Sequence, residues 1–291
     1  MKILSWNCRG VSNPRAVPNL RTLAHRHRPD IIFLSETLAD SRKLERTRVS
    51  LKYESCLAVE VVGRSGGIAV LWNNSMKCSV LNFSRNFINL LVQDDVRGEW
   101  RLTCYYGFPE RSKRRMAWSM IRELHGMSQL PWCILGDFND LLSQNDKQGL
   151  HPHPSWMCTG FQEVVGDCDL TDIPLEGHPF TWTKSRGVPH MIKERLDKAL
   201  AVSSWLQLFP SAKLQNLIAT HSDHSPILLN CDLWQRCHNR RTFRFENWWL
   251  KEEGVKEVVR DSWGAENQHT VVMKLTECAG ELERWNRQVE T

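Results

Sequence analysis

The sequence predicts an α/β (α+β) fold, a four-layer sandwich in which two mixed, largely antiparallel β-sheets pack face to face with helices outside. Strand-like and helix-like segments alternate over residues 3–51. Short strand candidates separated by turn residues occupy residues 54–106, and an apolar run at residues 132–135 predicts a buried strand. The pattern changes after residue 232, where two amphipathic segments predict a helical C-terminal extension.

Composition restricts the class of protein. The chain has 291 residues, enough for one large domain or for one domain with an appendage. Its net charge of +5 permits a nucleic-acid partner without demanding one. The ten cysteines form no C-x-x-C pair, which predicts a reducing compartment and no zinc site. No apolar run is long enough to span a membrane and no signal peptide is recognisable, so we expect a soluble, intracellular protein.

The first elements each end in a polar residue suited to binding a metal or a phosphate. Residues 3–8 predict a strand that contains Asn7 at its end, and residues 14–28 predict an amphipathic helix. Residues 31–34 predict a second strand, which is followed by Glu36. A charged helix is expected over residues 40–51.

The next segment predicts an antiparallel meander with strand candidates at residues 55–62, 67–72, 78–83, 87–92 and 100–106. A helix is then expected over residues 111–127, opening on the basic cluster of Arg111, Lys113, Arg114 and Arg115. Such basic runs most often face solvent.

The strand at residues 132–135 precedes Gly136, which is expected to break it, and then Asp137 and Asn139. On an extended backbone, side chains two residues apart project to the same face, so this carboxylate and amide would emerge side by side at the end of a strand. The alternative is an ordinary strand-to-turn junction, because glycine, aspartate and asparagine all favour turns. Asp140 is interpreted as a turn residue.

The rest of the first domain predicts a helix at residues 156–165 and strands near residues 180–183, 195–200, 212–218 and 226–231. Residues 185–192 predict an exposed hairpin loop, and the domain is expected to end at residue 232. Residues 233–291 predict a basic linker followed by helices at about 247–262 and 270–289.

Carboxylates, amides and a histidine thus follow several predicted strands: Asn7, Glu36, Asp137, Asn139, Asp197, Asp223 and His224. Each alone is more often a cap or a turn residue. Together on one rim they would suit Mg²⁺-dependent hydrolysis of a phosphate ester, because Mg²⁺ takes one or two carboxylates together with water and substrate oxygens.

The segments that carry these residues resemble the endonuclease/exonuclease/phosphatase superfamily, which includes deoxyribonuclease I and the apurinic/apyrimidinic endonucleases. The matching pieces appear in the family's order across residues 1–232: Ser5-Trp6-Asn7, Ser35-Glu36-Thr37, Tyr106 near Pro109, Gly136-Asp137-Phe138-Asn139, Thr181-Trp182, Arg195-Leu196-Asp197 and Ser222-Asp223-His224. In detail they look most like the endonuclease domain of a plant non-LTR (LINE-type) retrotransposon polyprotein. A reverse transcriptase would follow such a domain, and residues 233–291 look like the linker to it.

The resemblance implies a deoxyribonuclease I-like sandwich and a role for each matching residue. Glu36 would ligate Mg²⁺, with Mn²⁺ as the alternative ion, and Asn7 and Asp223 would lie near the metal. Asp137 would orient or deprotonate the attacking water. His224, hydrogen-bonded to Asp197, would stabilise the scissile phosphate.

The remaining implied contacts are with phosphate and substrate. Tyr106 would help to balance phosphate charge, although the segment is one residue longer than the commoner family pattern, so Tyr105 is an open alternative. The expected substrate-binding residues are Asn7, Asn139, Thr181, Trp182, Arg186 and His190. The loop at residues 185–192 would tune the choice of DNA target.

Three hypotheses follow for the function. The first is a monomeric DNA endonuclease that nicks one strand, leaves a 3′-hydroxyl to prime reverse transcription, and is nuclear if it acts on chromosomal DNA. The second is a phosphatase or phosphodiesterase of the same superfamily that acts on a small or lipid substrate. The third is a non-catalytic retrotransposon relic. The basic balance favours DNA, because neutralisation of the backbone dominates affinity for nucleic acids.

Overall fold

The computed structural model describes residues 1–60, 66–184, 191–217, 222–231, 249, 252, 254–264 and 271–289. The chain forms two compact units, Met1–Leu233 and Trp234–Thr291.

The strands are β1 (Lys2–Asn7), β2 (Ile31–Ser35), β3 (Ser55–Val59), β4 (Ile68–Trp72), β5 (Lys77–Phe83), β6 (Phe87–Asp94), β7 (Gly98–Tyr106), β8 (Trp132–Asp137), β9 (Lys147–Gln148), β10 (Leu170–Asp172), β11 (Leu175–Glu176), β12 (Trp182–Lys184), β13 (Ile192–Glu194), β14 (Asp197–Val202), β15 (Lys213–Asn216) and β16 (Ile227–Asn230). The α-helices are α1 (Ala16–His27), α2 (Ser41–Leu51), α3 (Arg114–Gly126), α4 (Ser155–Asp167), α5 (Ser203–Leu208), α6 (Gly254–Gly264) and α7 (Val271–Val289). Short 3₁₀ turns occupy Arg111–Lys113 and Gln144–Asp146.

Two large sheets and one small one organise these strands. The first sheet has the order β11-β15-β16-β1-β2-β4-β3, and the second has the order β10-β14-β8-β7-β6-β5. Both sheets are mixed, because β1–β2 and β7–β8 are parallel pairs among antiparallel ones. A three-stranded sheet of order β12-β13-β9 is paired separately, and an isolated bridge joins Trp182 of β12 to His224. The predicted sandwich of two mixed sheets flanked by helices is confirmed.

Alternate side chains of the central strands enter different hydrophobic clusters. In β2, Ile31 and Phe33 join the cluster shared with the second sheet, whereas Ile32 and Leu34 join the cluster that contains Leu20 of α1. Successive side chains of a strand point to opposite faces, so a strand covered on both faces is apolar throughout. This explains why the central strands appear in the sequence as continuous apolar runs.

The predicted single meander over residues 54–106 is wrong in one respect, because it is divided between the two sheets. The β3–β4 hairpin joins the first sheet through pairing of β4 with β2, whereas β5, β6 and β7 form a meander in the second. Residues of β4 are buried in succession, and β5 alternates between half-buried and exposed residues at an edge. Turn signals show where a strand ends, but not which sheet the next strand enters.

Strand β8 continues through Gly136 to Asp137, although the glycine was expected to break it. Gly136 has φ +149°, and a Cβ atom built there would lie 2.0 Å from the carbonyl oxygen of Tyr105. The glycine therefore permits a close approach of β7 and β8 next to Asp137.

Gly136→Ala is expected to lower the free energy of unfolding by at least about 2 kcal/mol, because it adds both a backbone clash and an unfavourable φ. Urea unfolding followed by tryptophan fluorescence measures the change. Gly166→Ala in α4 is the matched control, since nothing lies within 4 Å of its Cβ position and alanine favours a helix. An unchanged midpoint for Gly136→Ala would contradict the close approach.

The second unit contains the two predicted tail helices as α6 and α7. Helix α6 begins at Gly254, seven residues after the predicted start, and α7 begins at Val271, one residue after it. Their shared core contains Trp249, Val255, Cys278 and Leu282. Within the described part of the chain, none of the helices combines the length and the hydropathy required to cross a membrane.

Candidate active site

Strand pairing brings the ends of five strands together on one edge of the sandwich. In the parallel pairs, Asn7 lies opposite Ser35 and Tyr106 lies opposite Asp137. In the antiparallel pair of β8 and β14, Asp137 lies opposite Asp197. Glu36 directly follows β2, so the polar side chains predicted at separate strand ends converge on this edge.

Asn7 connects the two large sheets. Its Nδ2 atom donates to Glu36 Oε1 at 2.9 Å and to Asp137 Oδ2 at 3.0 Å. Asn7 is fully buried, so its amide orientation is held by these bonds. Glu36 itself has φ +49°, a left-handed conformation that is uncommon outside glycine and turns its carboxylate toward Asn7.

The two adjacent tyrosines occupy different environments. The Tyr106 hydroxyl donates to Glu36 Oε1 at 2.9 Å, whereas the Tyr105 ring lies in the core, 5.1 Å from the Phe138 ring between centroids. Burial, reinforced by the Glu36 and Asp137 carboxylates, raises the pKa of Tyr106 above its usual range. Tyr106 is therefore a neutral hydrogen-bond donor at the site.

Asp137 is the most enclosed carboxylate of the cluster. Besides the Asn7 amide, its Oδ1 accepts the Asn139 backbone N–H at 2.9 Å. Burial raises the pKa of Asp137 to about 6, the His224 ring opposes that shift, and Asp197 adds to it. The carboxylate is thus poised much closer to neutrality than an exposed aspartate.

His224 and Asp197 form a buried pair beside Asp137. His224 Nδ1 lies 3.0 Å from Asp197 Oδ2, and His224 Nε2 lies 3.9 Å from Asp137 Oδ2. Burial lowers the pKa of His224, but Asp197 and Asp137 outweigh it and bring the pKa to about 9. The ring is therefore protonated at neutral pH, with Nδ1–H donating to Asp197 and Nε2–H directed toward the space beside Asp137.

Thr181 holds the backbone next to Asp197 in place. Its hydroxyl accepts the backbone N–H groups of Leu196 and Asp197 at 3.1 and 3.0 Å, and the residue is 1% exposed. These contacts give Thr181 a positioning role, and its burial does not support the predicted contact with substrate.

Asp223 lies at the more open side of the cluster. Its Oδ2 accepts the Trp182 indole N–H at 2.8 Å, and its Oδ1 lies 3.0 Å from Arg9 Nε. The same Arg9 atom lies 3.6 Å from Glu36 Oε2. Arg9 was missed in the sequence, where it stands in an apparent turn only two residues after Asn7.

Asn139 is both a turn residue and a neighbour of Asp137, so the two interpretations of its segment, a strand-to-turn junction and a functional pair, each hold in part. Its φ of +52° makes it a turn residue, so the argument from an extended backbone does not apply beyond Asp137. The turn nevertheless brings its Nδ2 to the carbonyl oxygen of Gly107, at 3.0 Å, and its backbone N–H to Asp137. An aspartate side chain commonly stabilises such a turn.

The interpretation of Asp140 as a simple turn residue is wrong. It is buried, its Oδ2 accepts the Trp118 indole N–H at 2.8 Å, and Arg114 Nε lies 3.7 Å away. Arg114 is itself buried, unlike the solvated helix start that its basic neighbours indicated. Together these residues anchor the segment after Asp137 to helix α3.

Two further predicted residues, Arg186 and His190, lie outside the described residues, as does most of the loop at 185–192.

The donor set fits a divalent cation. Asp137, Asp197 and His224 have potential ligand atoms within 4.8 Å of one another. His224 is already hydrogen-bonded through Nδ1, so the oxygens of Glu36 and Asp223, which are less enclosed, are the better ligands for a hard ion. Among the described residues, the four carboxylates of this cluster have Arg9 and a protonated His224 as neighbouring cations, which leaves about two formal negative charges, the number that one divalent ion balances.

Comparison with known proteins identifies a family and proteins to which this chain is similar. A model described as "Endonuclease/Exonuclease/phosphatase family" matches residues 4–224. The "Transposon TX1 uncharacterized 149 kDa protein" of Xenopus laevis is 24% identical over 282 residues, which are 90% of this chain and 20% of that protein. The chain thus spans about a fifth of the length of this curated relative.

Solved structures share the fold at low identity. The 3′-5′ exonuclease NExo from Neisseria meningitidis has a TM-score of 0.62 and 18% identity, with 80% of this chain and 100% of that chain covered. The endonuclease domain of TRAS1, a telomere-specific non-LTR retrotransposon, has a TM-score of 0.58 and 15% identity, with 80% and 99% covered. The apurinic/apyrimidinic endonuclease LMAP from Leishmania major has a TM-score of 0.60 and 15% identity, with 78% and 86% covered.

Proposed function

The chain belongs to the endonuclease/exonuclease/phosphatase family, and from that premise we propose that it is a metal-dependent DNA endonuclease that nicks one strand of a duplex. The observation that carries the proposal is the hydrogen-bonded path from Glu36 through Asn7 to Asp137. It joins the two sheets and ends beside the buried His224–Asp197 pair. Such a site can activate water and stabilise phosphate charge at one place.

Asp137 is the proposed base. Its carboxylate accepts a proton from water as the water oxygen attacks phosphorus, and the pKa of about 6 suits that task near neutral pH. The bond from phosphorus to the 3′ oxygen then breaks, and the departing oxygen takes a proton to become a 3′-hydroxyl. Asn7 and Asn139 hold Asp137 in place through its two oxygens.

His224 is the proposed electrostatic partner of the phosphate. Its protonated ring presents Nε2–H toward the space beside Asp137, while Asp197 fixes the ring through Nδ1. This donor is already oriented toward the negative charge that would develop on a phosphate oxygen in the transition state. Preorganised donors of this kind usually make the largest single contribution to transition-state stabilisation. Tyr106 supplies a second neutral donor at the same edge.

Glu36, with Asn7 and Asp223 close by, is the proposed holder of a divalent cation, Mg²⁺ or Mn²⁺. The bound ion would act as a Lewis acid toward a phosphate oxygen.

DNA is the proposed substrate. A structure of NExo that shares this fold is bound to a product DNA hairpin, and the similar proteins include a transposon protein and the endonuclease domain of a non-LTR retrotransposon. Because the chain covers a fifth of the Xenopus transposon protein, we propose that it is the endonuclease part of a longer element protein with a reverse transcriptase. The plant-type affiliation and the nuclear site of action remain predictions, as does the monomeric state.

A panel of substrates separates DNA cleavage from the second candidate activity. The purified chain with Mg²⁺ is given supercoiled plasmid, p-nitrophenyl phosphate and a soluble phosphoinositide at equal phosphate concentration. Cleavage of plasmid with no release of phosphate from the two small substrates supports the proposal. Turnover of a small substrate without nicking would establish a phosphatase or small-substrate phosphodiesterase instead.

Arg9→Ala is expected to raise the KM for DNA about 5- to 10-fold with a smaller change in kcat, because the half-exposed guanidinium is the cation nearest to the open side of the site. The slope of the logarithm of the DNA-binding constant against the logarithm of salt concentration is expected to decrease in magnitude by about 1, which corresponds to the loss of one phosphate contact. Arg26→Ala, at the exposed C-terminal end of α1, is the matched control. Equal KM values for the Arg9→Ala and Arg26→Ala variants would show that Arg9 does not contact the DNA substrate.

The loop at residues 185–192, with Arg186 and His190, remains the proposed determinant of target choice. Replacing its residues should alter the pattern of nicks on a sequenced plasmid and leave the total nicking rate within a few-fold. Loss of all activity would contradict a role confined to target choice.

A further inference from the structure

We propose that a cavity at the end of the second sheet away from the candidate active site binds a small oxyanion of phosphate size through Arg101. Arg101 lies opposite Trp132 at the start of β8, whereas Tyr106 lies opposite Asp137 at its end. Five residues of strand separate Arg101 from Tyr106, or about 16 Å at the rise of an extended chain. The cavity is therefore separate from the hydrolytic cluster.

The first observation is a buried positive charge without an acidic partner. Arg101 is 1% exposed, and among the described residues no carboxylate contributes to its pKa, which burial alone shifts. Its Nη1 donates to the Leu124 carbonyl oxygen at 2.5 Å, while Nε and Nη2 are buried without a hydrogen-bond partner among the described residues. Burial lowers the pKa of Arg101 to about 10, so the group stays charged at neutral pH.

Such a group is costly to leave unsatisfied. Buried guanidinium groups are normally paired with a carboxylate or bound to an anion, because desolvation is offset only when the donors are used. The Trp132 ring, 4.5 Å from Arg101 Cζ, and the carbonyl end of helix α3 offset part of that cost. Neither uses the Nε and Nη2 donors, which have almost no accessible surface, so a small shift of the guanidinium would bring them to a planar or tetrahedral oxyanion in the cavity.

The second observation is a polar cavity at this guanidinium. It is a half-open depression of about 150 Å³. Water occupies about 30 Å³ per molecule in the liquid, so this space holds one oxyanion together with a little water. Its polar lining comes from Arg101, His125, Ser128, Gln129, Asp169 and Ser204. The hydroxyl, amide and imidazole groups of this lining can donate to an anion.

One carboxylate also lines the cavity, and its position matters. Asp169 lies at the exposed rim and its Oδ2 accepts the Ser203 hydroxyl at 2.9 Å. Its carboxylate does not contribute to the pKa of Arg101. The one acidic group of the lining is therefore exposed, whereas the guanidinium is buried. The competing interpretation is that Arg101 serves only to cap helix α3 through Leu124.

The test uses inorganic phosphate on the full chain. The Nε–H resonance of Arg101 in a ¹⁵N–¹H spectrum is assigned with Arg101→Met and followed as sodium phosphate replaces sodium chloride at constant pH and ionic strength. We expect this signal to move with saturation, and the midpoint of thermal unfolding to rise by a few degrees. A signal that does not move would overturn the site and leave helix capping as the role of Arg101.

Variants separate this cavity from the hydrolytic edge, where phosphate could also bind. Gln129→Ala and Ser204→Ala change exposed residues at the mouth and should weaken the phosphate effect several-fold without unfolding the chain. Arg9→Ala changes the other edge and should leave the Arg101 signal shift intact. A response lost in Arg9→Ala and retained in both cavity variants would overturn the assignment.

A second arm distinguishes free oxyanion from the phosphates of nucleic acid. A short DNA duplex without terminal phosphates is added at the same phosphate concentration, in the absence of Mg²⁺. The Arg101 signal should stay in place while signals near Asp137 move. Movement of the Arg101 signal by DNA would make the cavity a contact for the nucleic-acid backbone and overturn the proposal of a free oxyanion.

Discussion

Asp137→Asn is expected to slow hydrolysis of the phosphodiester by at least about 10³-fold, which corresponds to about 4 kcal/mol of transition-state stabilisation. The change keeps the size of the side chain, and its remaining amide oxygen can accept only one of the two hydrogen bonds that Asp137 receives from Asn7 and the Asn139 N–H. It removes the base and the negative charge beside His224. Single-turnover cleavage of a labelled DNA duplex with Mg²⁺ measures the rate.

The control for this variant is Asp95→Asn, an exposed aspartate in the β6–β7 turn that pairs with Lys77. It should cleave at the wild-type rate. Thermal unfolding should show that Asp137→Asn is folded, because the buried carboxylate is replaced by a neutral group of the same shape. A cleavage rate within a few-fold of wild type in Asp137→Asn would exclude Asp137 as the base.

His224→Gln is expected to reduce the rate by about 10²- to 10⁴-fold, the range observed when a preorganised donor is removed from an active site. Glutamine can still reach Asp197, but it carries no positive charge toward Asp137 and the phosphate. The effect should fall mainly on kcat, because the donor acts on charge that develops in the transition state. Steady-state kinetics over a range of DNA concentrations resolve kcat from KM.

Asp197→Asn provides the companion measurement. If Asp197 acts through the orientation and charge of His224, the double variant His224→Gln/Asp197→Asn should be about as slow as His224→Gln alone. Multiplicative losses would show that the two residues act independently, against the buried pair seen at 3.0 Å. His25→Gln, on the exposed part of α1, should behave as wild type.

Most helices and most strands were predictable because their signals are local, whereas the short helix α5 was not predicted. Amphipathic spacing indicated α1, and Asp40 accepts the Lys43 backbone N–H as the N-cap of α2. The assignment of β3 and β4 to the first sheet was not predictable from the same signals. It depends on the pairing of β4 with β2, which is a contact between segments that the turn residues do not specify.

In the site, too, local sequence signals indicated some side chains but not the contacts between segments that are distant in the chain. Asn7, Glu36 and Asp137 follow apolar runs, and that position alone indicated them. Arg9 reaches Asp223 across more than 200 residues of chain, so no local pattern could have indicated that contact. Asp140 likewise depends on Trp118 and Arg114 of a helix that precedes it. Its turn-like surroundings hid a buried anchor.

Conversion of supercoiled plasmid to open circle decides whether these residues form a DNA-cleaving site. Wild-type chain with Mg²⁺ should produce open circles whose nicks carry a 3′-hydroxyl that a DNA polymerase extends directly. EDTA and the Asp137→Asn substitution should each abolish the conversion. Excess Mg²⁺ should restore nicking by the EDTA-treated wild-type chain but not by the Asp137→Asn variant. Nicking that persists in Asp137→Asn, or the absence of any nicking by the folded wild-type chain, would contradict the proposed function.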